Sequence, residues 1–171
     1  FKIPDFLNVF YSVFLGSVVF IPLLTAAKNI SEEEMVKKVK EVGSLVLVLV
    51  GIASVFLFIF MPYFADLLAP AWTIERRGLL VNLSRILLVA QFFFPIGILA
   101  GSIGMIYKRP FYMAASGFVY NLFIFLITLI LVPYYGVYGV VFGVLVGAMS
   151  FALIQVVPSE VRSVYSKFHF S

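Results

Sequence analysis

The stretch LVLVLVGIASVFLFIF, Leu45–Phe60, carries no charge and is apolar on every side. An amphipathic surface helix keeps a polar face, and a barrel strand alternates in and out over roughly 10 residues. Neither reads this way, so the run predicts a helix surrounded by hydrocarbon. It is one of five apolar stretches, each near the ~20 residues that cross ~30 Å of hydrocarbon. The spacing predicts helices near 6–27, 42–64, 79–107, 112–132 and 137–157. Composition excludes the soluble alternative: 63% of the residues are hydrophobic and 12% charged, against roughly half and about a quarter in a soluble domain. The expected class is an all-α, polytopic membrane protein with five transmembrane helices, multi-pass in its membrane.

The connections carry the charge. Ser31 followed by Glu34 is a capping box that opens an amphipathic linker helix, SEEEMVKKVKEV, over 31–41. Glu33/Lys37 and Glu34/Lys38 stand at i,i+4 spacing on it. YKRPF, Tyr107–Phe111, reads as a tight basic turn, and VPYYGVYG as an uncharged one. Basic residues sort by side. Lys28, Lys37, Lys38, Lys40, Lys108, Arg109, Arg162 and Lys167 share one side; Lys2, Arg76 and Arg77 share the other. The eight-charge side is expected to be cytoplasmic. The first helix then runs from outside to inside, and at least one helix is expected upstream of Phe1. Arg85, less than two turns into its helix, is expected to snorkel to the outer interface.

Several function classes are excluded. There is no cysteine, hence no disulfide, zinc-thiolate site or iron–sulfur cluster. His169, the one histidine, lies two residues from the end and has no nucleophile to serve. No Gly-rich phosphate loop is present, so ATP hydrolysis is not expected. The net charge of +4 is small and spread through loops, which argues for anionic lipid and against nucleic acid. The chain is expected to be no enzyme and to need no cofactor or metal.

Polar groups inside the helices are the candidate functional positions, because lipid offers them no partners. On the first helix Asp5, Asn8, Tyr11, Ser12 and Gly16 share an arc of roughly 140°, with Lys2 just outside it. On the third, Ser84, Gln91, Pro95 and Ser102 fall within about 20° of one line, with a bend expected at Pro95. On the fourth, Gly117, Asn121 and Thr128 align within about 40°. Such stripes either line a hydrated cavity or let helices pack closely, and the Ser, Gly and Thr positions suit packing. Lys2, Asp5, Asn8, Ser12, Gln91 and Asn121 are the cavity candidates.

FKIPDF followed by GSVVFIPLLTAAK resembles the second transmembrane helix of the MurJ/MviN lipid II flippases, of the MOP transporter superfamily. That family begins the helix with Phe, a basic residue, Ile or Leu, Pro and usually Asn, and later has Ser-x-x-Phe-Val-Pro. Here these positions are Phe1, Lys2, Ile3, Pro4 and Asp5, then Ser17, Phe20, Ile21 and Pro22. RILLVAQFFFPIGILAGSIGMIYKRPFYMAASGFVYNL is similar to the family's fourth and fifth helices, including Asn121. VPYYGVYGVVFGVLVGAMSFALIQVVP is similar to its sixth, with the Gln155 and Pro158 exit.

The resemblance implies a fold and a task. Residues 1–171 would be part of the N-terminal lobe of a two-lobed, MurJ/MATE-like transporter in the bacterial cytoplasmic membrane. Its partners would be a lipid-linked glycan or peptidoglycan precursor, the bilayer and the remaining helices of the same transporter. The lobes would rock around a central cavity, driven by an ion gradient or potential, and this piece alone would be inactive. A polysaccharide flippase, a drug/cation antiporter of the superfamily and a non-transporting scaffold remain as alternatives. One departure bears on cargo. The family carries an arginine pair and then Glu-Gly where Asn8, Val9, Val13 and Phe14 stand, and that arginine is thought to grip the cargo's pyrophosphate.

Overall fold

The computed structural model describes residues 19–166. Lys2, Asp5, Asn8 and Ser12, most of the expected first helix, and Lys167 and His169 lie outside the described residues. Within them the chain is helical, without strands: α1 (Ile21–Ile30), α2 (Glu32–Leu68), α3 (Ile74–Gln91), α4 (Phe93–Ile106), α5 (Pro110–Tyr135), α6 (Val137–Val156) and α7 (Ser159–Ser166). Four spans are long and apolar enough to cross a membrane: α2, α3 with α4 as one span, α5 and α6.

The linker helix and the second span are one element. The Ser31 hydroxyl accepts the Glu34 amide at 3.0 Å, as a capping box requires, and no proline follows until Pro62. α2 therefore runs unbroken for 37 residues, about 55 Å at 1.5 Å per residue. That exceeds ~30 Å of hydrocarbon by several turns, and the charged stretch 32–41 is the part left over. The ion pairs on it are not those expected. Lys37 pairs with Glu34 at 3.8 Å and Lys38 with Glu41 at 2.6 Å, both i,i+3, a spacing that also brings helical side chains together.

α4 is the hub, touching every other described helix. Small residues permit this: Gly97, Ala100, Gly101, Ser102 and Gly104 are all buried, so neighbouring backbones come close. Its C-terminus closes in a Schellman turn. The Arg109 amide donates to Gly104 O at 2.8 Å and the Lys108 amide to Met105 O at 3.0 Å. This demands a left-handed residue, and Lys108 supplies it with φ 59°. Between α5 and α6 the chain reverses on Gly136 alone, at φ 56°.

The turns sort into two ends. One holds the α1–α2 junction, the α4–α5 turn and α7. The other holds the α2–α3 turn and Gly136, and carries exposed aromatics, Tyr63, Trp72, Tyr134 and Tyr135, of the kind that sit at a membrane interface.

Candidate functional site

The α3–α4 break is the first unusual feature of the interior. Pro95 has no amide to donate to Gln91 O, so the helical ladder is interrupted there. The Phe92 amide turns to Val89 O instead, at 3.3 Å. The break at Phe92 falls three residues before Pro95, within the turn that its missing amide leaves open. Ser84, Gln91, Pro95 and Ser102 are all buried, so this stripe faces protein. The Ser102 hydroxyl donates to Ile98 O at 2.8 Å. The Gln91 Oε1 is buried with no partner among the described residues.

α4 meets α6 through a matched pair of spacings. Gly97 and Gly101 stand four apart, opposite Phe151 and Gln155, also four apart. A Cβ on Gly97 would lie 2.6 Å from the Phe151 ring, and one on Gly101 would run into Gln155 Oε1. A larger residue at either place would have to displace the Phe151 ring or the Gln155 amide. Phe94 adds ring contacts to Tyr120 and Phe151, with centroids 5.6 and 5.4 Å apart. Both amide atoms of Gln155 are buried without partners among the described residues. Sequence reasoning gave Gln155 only as part of a helix exit; its signal was a lone amide in an apolar helix four residues from a large aromatic.

α6 turns a second glycine face to α5. Cβ atoms on Gly139, Gly143 and Gly147 would approach the α5 backbone to 2.7, 2.9 and 2.8 Å, at Leu131, Ile124 and Tyr120 respectively. Thr128 belongs to this seam, its hydroxyl 2.9 Å from the same point on Gly143. Asn121 does not. It is exposed, its Nδ2 donating to Gly117 O at 2.9 Å, and nothing lies within 4 Å of a Cβ on Gly117. The α5 stripe thus splits into a packed part and an open part. Gln91 and Asn121, the two candidates within the described residues, are not brought together: one is interior and the other on an open face.

Charged groups concentrate at the two ends. At the Gly136 end, Arg77 Nη1 pairs with Asp66 Oδ1 at 2.6 Å, beside a cleft of about 570 Å³ lined by Pro62, Asp66, Arg77, Gly78 and Asn82 among others. Below them Arg85 turns back to α2, its Nε 3.2 Å from Phe58 O and its guanidinium 4.7 Å from the Phe58 ring centre. At the other end, Tyr107 donates to Glu32 Oε1 at 2.9 Å, with Lys28 Nζ 3.5 Å from the centre of its ring. Arg109 donates through Nε and Nη2 to one Glu160 oxygen, at 3.1 and 2.9 Å. Burial, and then the bond to Glu32, pushes the Tyr107 phenol up to about 12. Among the described residues no three His, Asp or Glu side chains gather to hold a metal.

Apolar spans packed on glycine seams, with amides buried between them and most charges gathered toward the ends, define a multi-pass α-helical membrane protein. The chain matches the family described as Lipid II flippase MurJ over residues 1–170, and it belongs to that family. Comparison with curated proteins and with solved structures gave no match. The family is one of flippases and not of catalysts.

Proposed function

We propose that the chain forms part of a flippase that moves a lipid-linked glycan or peptidoglycan precursor, like lipid II, across the bacterial cytoplasmic membrane by alternating access, without ATP hydrolysis. The observation that carries this reading is the family match, which spans the chain from residue 1 to residue 170. The basic end, with Lys28, Lys37, Lys40 and Arg109, faces the cytoplasm, as the distribution of positive charge favours. The open face of α5 around Gly117 and Asn121 is the part of the described residues offered to the cargo cavity, which further helices close from the opposite side. Lys2, Asp5, Asn8, Ser12 and Gln91 are the further cavity candidates, on the polar pattern of the sequence.

The cargo departs from lipid II itself in this reading, on the strength of Asn8. A bidentate guanidinium is a far better pyrophosphate ligand than a neutral amide. A charge-assisted contact contributes about 1.5–3 kcal/mol, so its loss weakens headgroup binding by roughly 10- to 150-fold. The test is growth of a bacterium depleted of its own lipid II flippase. The intact protein is expected to rescue poorly, and its Asn8→Arg variant better. Full rescue by the unmodified protein, indifferent to Lys2→Ala, would restore lipid II as the cargo. A failure of both, with the protein inserted and abundant, would favour a polysaccharide flippase or an antiporter of the superfamily.

A further inference from the structure

An apolar slot of about 350 Å³ lies between α2 and α4, walled by Phe20, Val39, Val46 and Leu99, with Tyr165 of α7 at one end. Gly43 lines it as well: a Cβ there would lie 2.7 Å from Leu99 Cδ2, so the Leu99 side chain rests against the α2 backbone at this point. Along α2 the lining runs from Lys40 through Ser44 to Leu47, about 10 Å at 1.5 Å per residue. That is roughly two-thirds of one leaflet's hydrocarbon depth, taking half of ~30 Å.

The slot is graded. Its Lys40 end lies in the charged part of α2, and its Leu47 end lies among exposed apolar residues, Leu45, Val48 and Leu49. The lining is thus polar and cationic at one end and apolar along the rest, in the same order and direction as a phospholipid standing in the leaflet. An apolar hollow open to a bilayer is filled by hydrocarbon, since that is the solvent at its mouth.

We propose that this slot binds an anionic phospholipid of the cytoplasmic leaflet, one acyl chain lying along Gly43–Leu47 and the phosphate beside Lys40. The leaflet assignment rests on the orientation given under the proposed function; the chemistry of the ligand does not. A lysine near an anionic lipid surface contributes about 1 kcal/mol, which is about a five-fold preference for an anionic over a zwitterionic headgroup.

The experiment reconstitutes the intact protein into phosphatidylcholine vesicles. These are doped with phosphatidylglycerol or phosphatidylcholine bearing a photoreactive group in the acyl chain, and labelled peptides are mapped. Labelling of the peptides around Gly43–Leu47 and Ile96–Leu99 is expected, with phosphatidylglycerol favoured about five-fold. Lys40→Gln should remove the preference while phosphatidylcholine labelling persists, which shows the slot intact. Ser44→Trp should suppress labelling by both lipids. Absence of label from these peptides would overturn the proposal, as would equal labelling by the two lipids, a preference that survives Lys40→Gln, or a crosslink from the slot to another segment of the protein. A reversed orientation is read separately: the same peptides label, but only from probe placed in the leaflet opposite the basic end.

Discussion

Arg85 Nε donates to the carbonyl oxygen of Phe58 at 3.2 Å, and Phe58 is the residue whose carbonyl Pro62 leaves without a helical donor. An i→i−4 bond to Phe58 O would come from residue 62, and proline has no amide. A guanidinium from the neighbouring helix occupies the vacancy and also lies over the Phe58 ring. An arginine in a spanning helix, read from the sequence only as a snorkelling side chain, has a specific partner in the backbone of α2.

This predicts non-additive substitutions. Arg85→Ala should destabilise the purified protein by about 1.5–3 kcal/mol, the range for a hydrogen bond to a charged group. In a Pro62→Ala background the amide is restored and the same substitution should cost about 1 kcal/mol less. The residue of the effect is the ring contact. Thermal unfolding of the four proteins in detergent measures the coupling. Additive losses would mean that Arg85 does not serve the Phe58 carbonyl.

The course of these helices is legible in the sequence because it depends on local facts. Apolar runs of membrane length, the Ser31 cap and the missing amide of Pro95 all act within a turn or two of themselves. Merger of the charged linker into α2 follows from one more local fact, the lack of a proline before Pro62. Arg85's partner was not legible, since it lies 27 residues away on a helix whose rotation and neighbours come from packing. The same holds for Gln155 against Gly101. Stripe analysis places Ser84, Gln91 and Ser102 on one line but cannot say whether that line meets water, lipid or another helix. The structure turns it to protein. The candidates on the first helix lie outside the described residues.

The glycine seams give a second prediction. Gly139→Ala sets a Cβ 2.7 Å from the α5 backbone at Leu131 and Val132, which cannot move aside as a side-chain tip can. Separating the helices should cost about 1–3 kcal/mol, as overpacking does. Gly117→Ala meets nothing within 4 Å and should be neutral or stabilising by up to ~1 kcal/mol, through helix propensity. Unfolding temperatures of the two variants decide it. A loss at Gly117→Ala equal to that at Gly139→Ala would mean that the open face of α5 is packed in the intact protein.

At the basic end the tyrosines predict an alkaline limit. The Tyr107 phenol is pushed from 10.0 up to about 12 by burial and by its bond to Glu32. A raised native value means that the folded state holds the proton more tightly. Its contribution is therefore complete below about 10 and is lost as pH rises from about 10 to 12. Tyr107→Phe removes the Glu32 bond, so its stability should fall less steeply across that window. Tyrosinate absorbance followed alongside unfolding checks both points. A Tyr107→Phe curve parallel to the parent would remove Tyr107 from the alkaline transition.

Topology and the open face can be tested together, because the chain has no cysteine to remove. Val36 is buried and makes a poor reporter, so the exposed Glu33 is the position of choice at the basic end. Ile74, also exposed, serves the opposite end. In intact cells an impermeant thiol reagent should label Ile74→Cys and spare Glu33→Cys until the membrane is opened. Labelling of Glu33→Cys from outside would reverse the orientation. Depth needs a further pair. Asn121 and Leu126 are both exposed on α5, about 140° apart round the helix. If Asn121 faces a hydrated cavity, Asn121→Cys should react with small water-soluble reagents in the intact protein. Leu126→Cys, on the lipid side, should stay silent, since a thiol in hydrocarbon does not ionise to the reactive thiolate. Asn121→Cys should also be protected when the lipid-linked cargo is supplied. Silence at both positions would place Asn121 in a helix contact, leaving its bond to Gly117 O as its whole role.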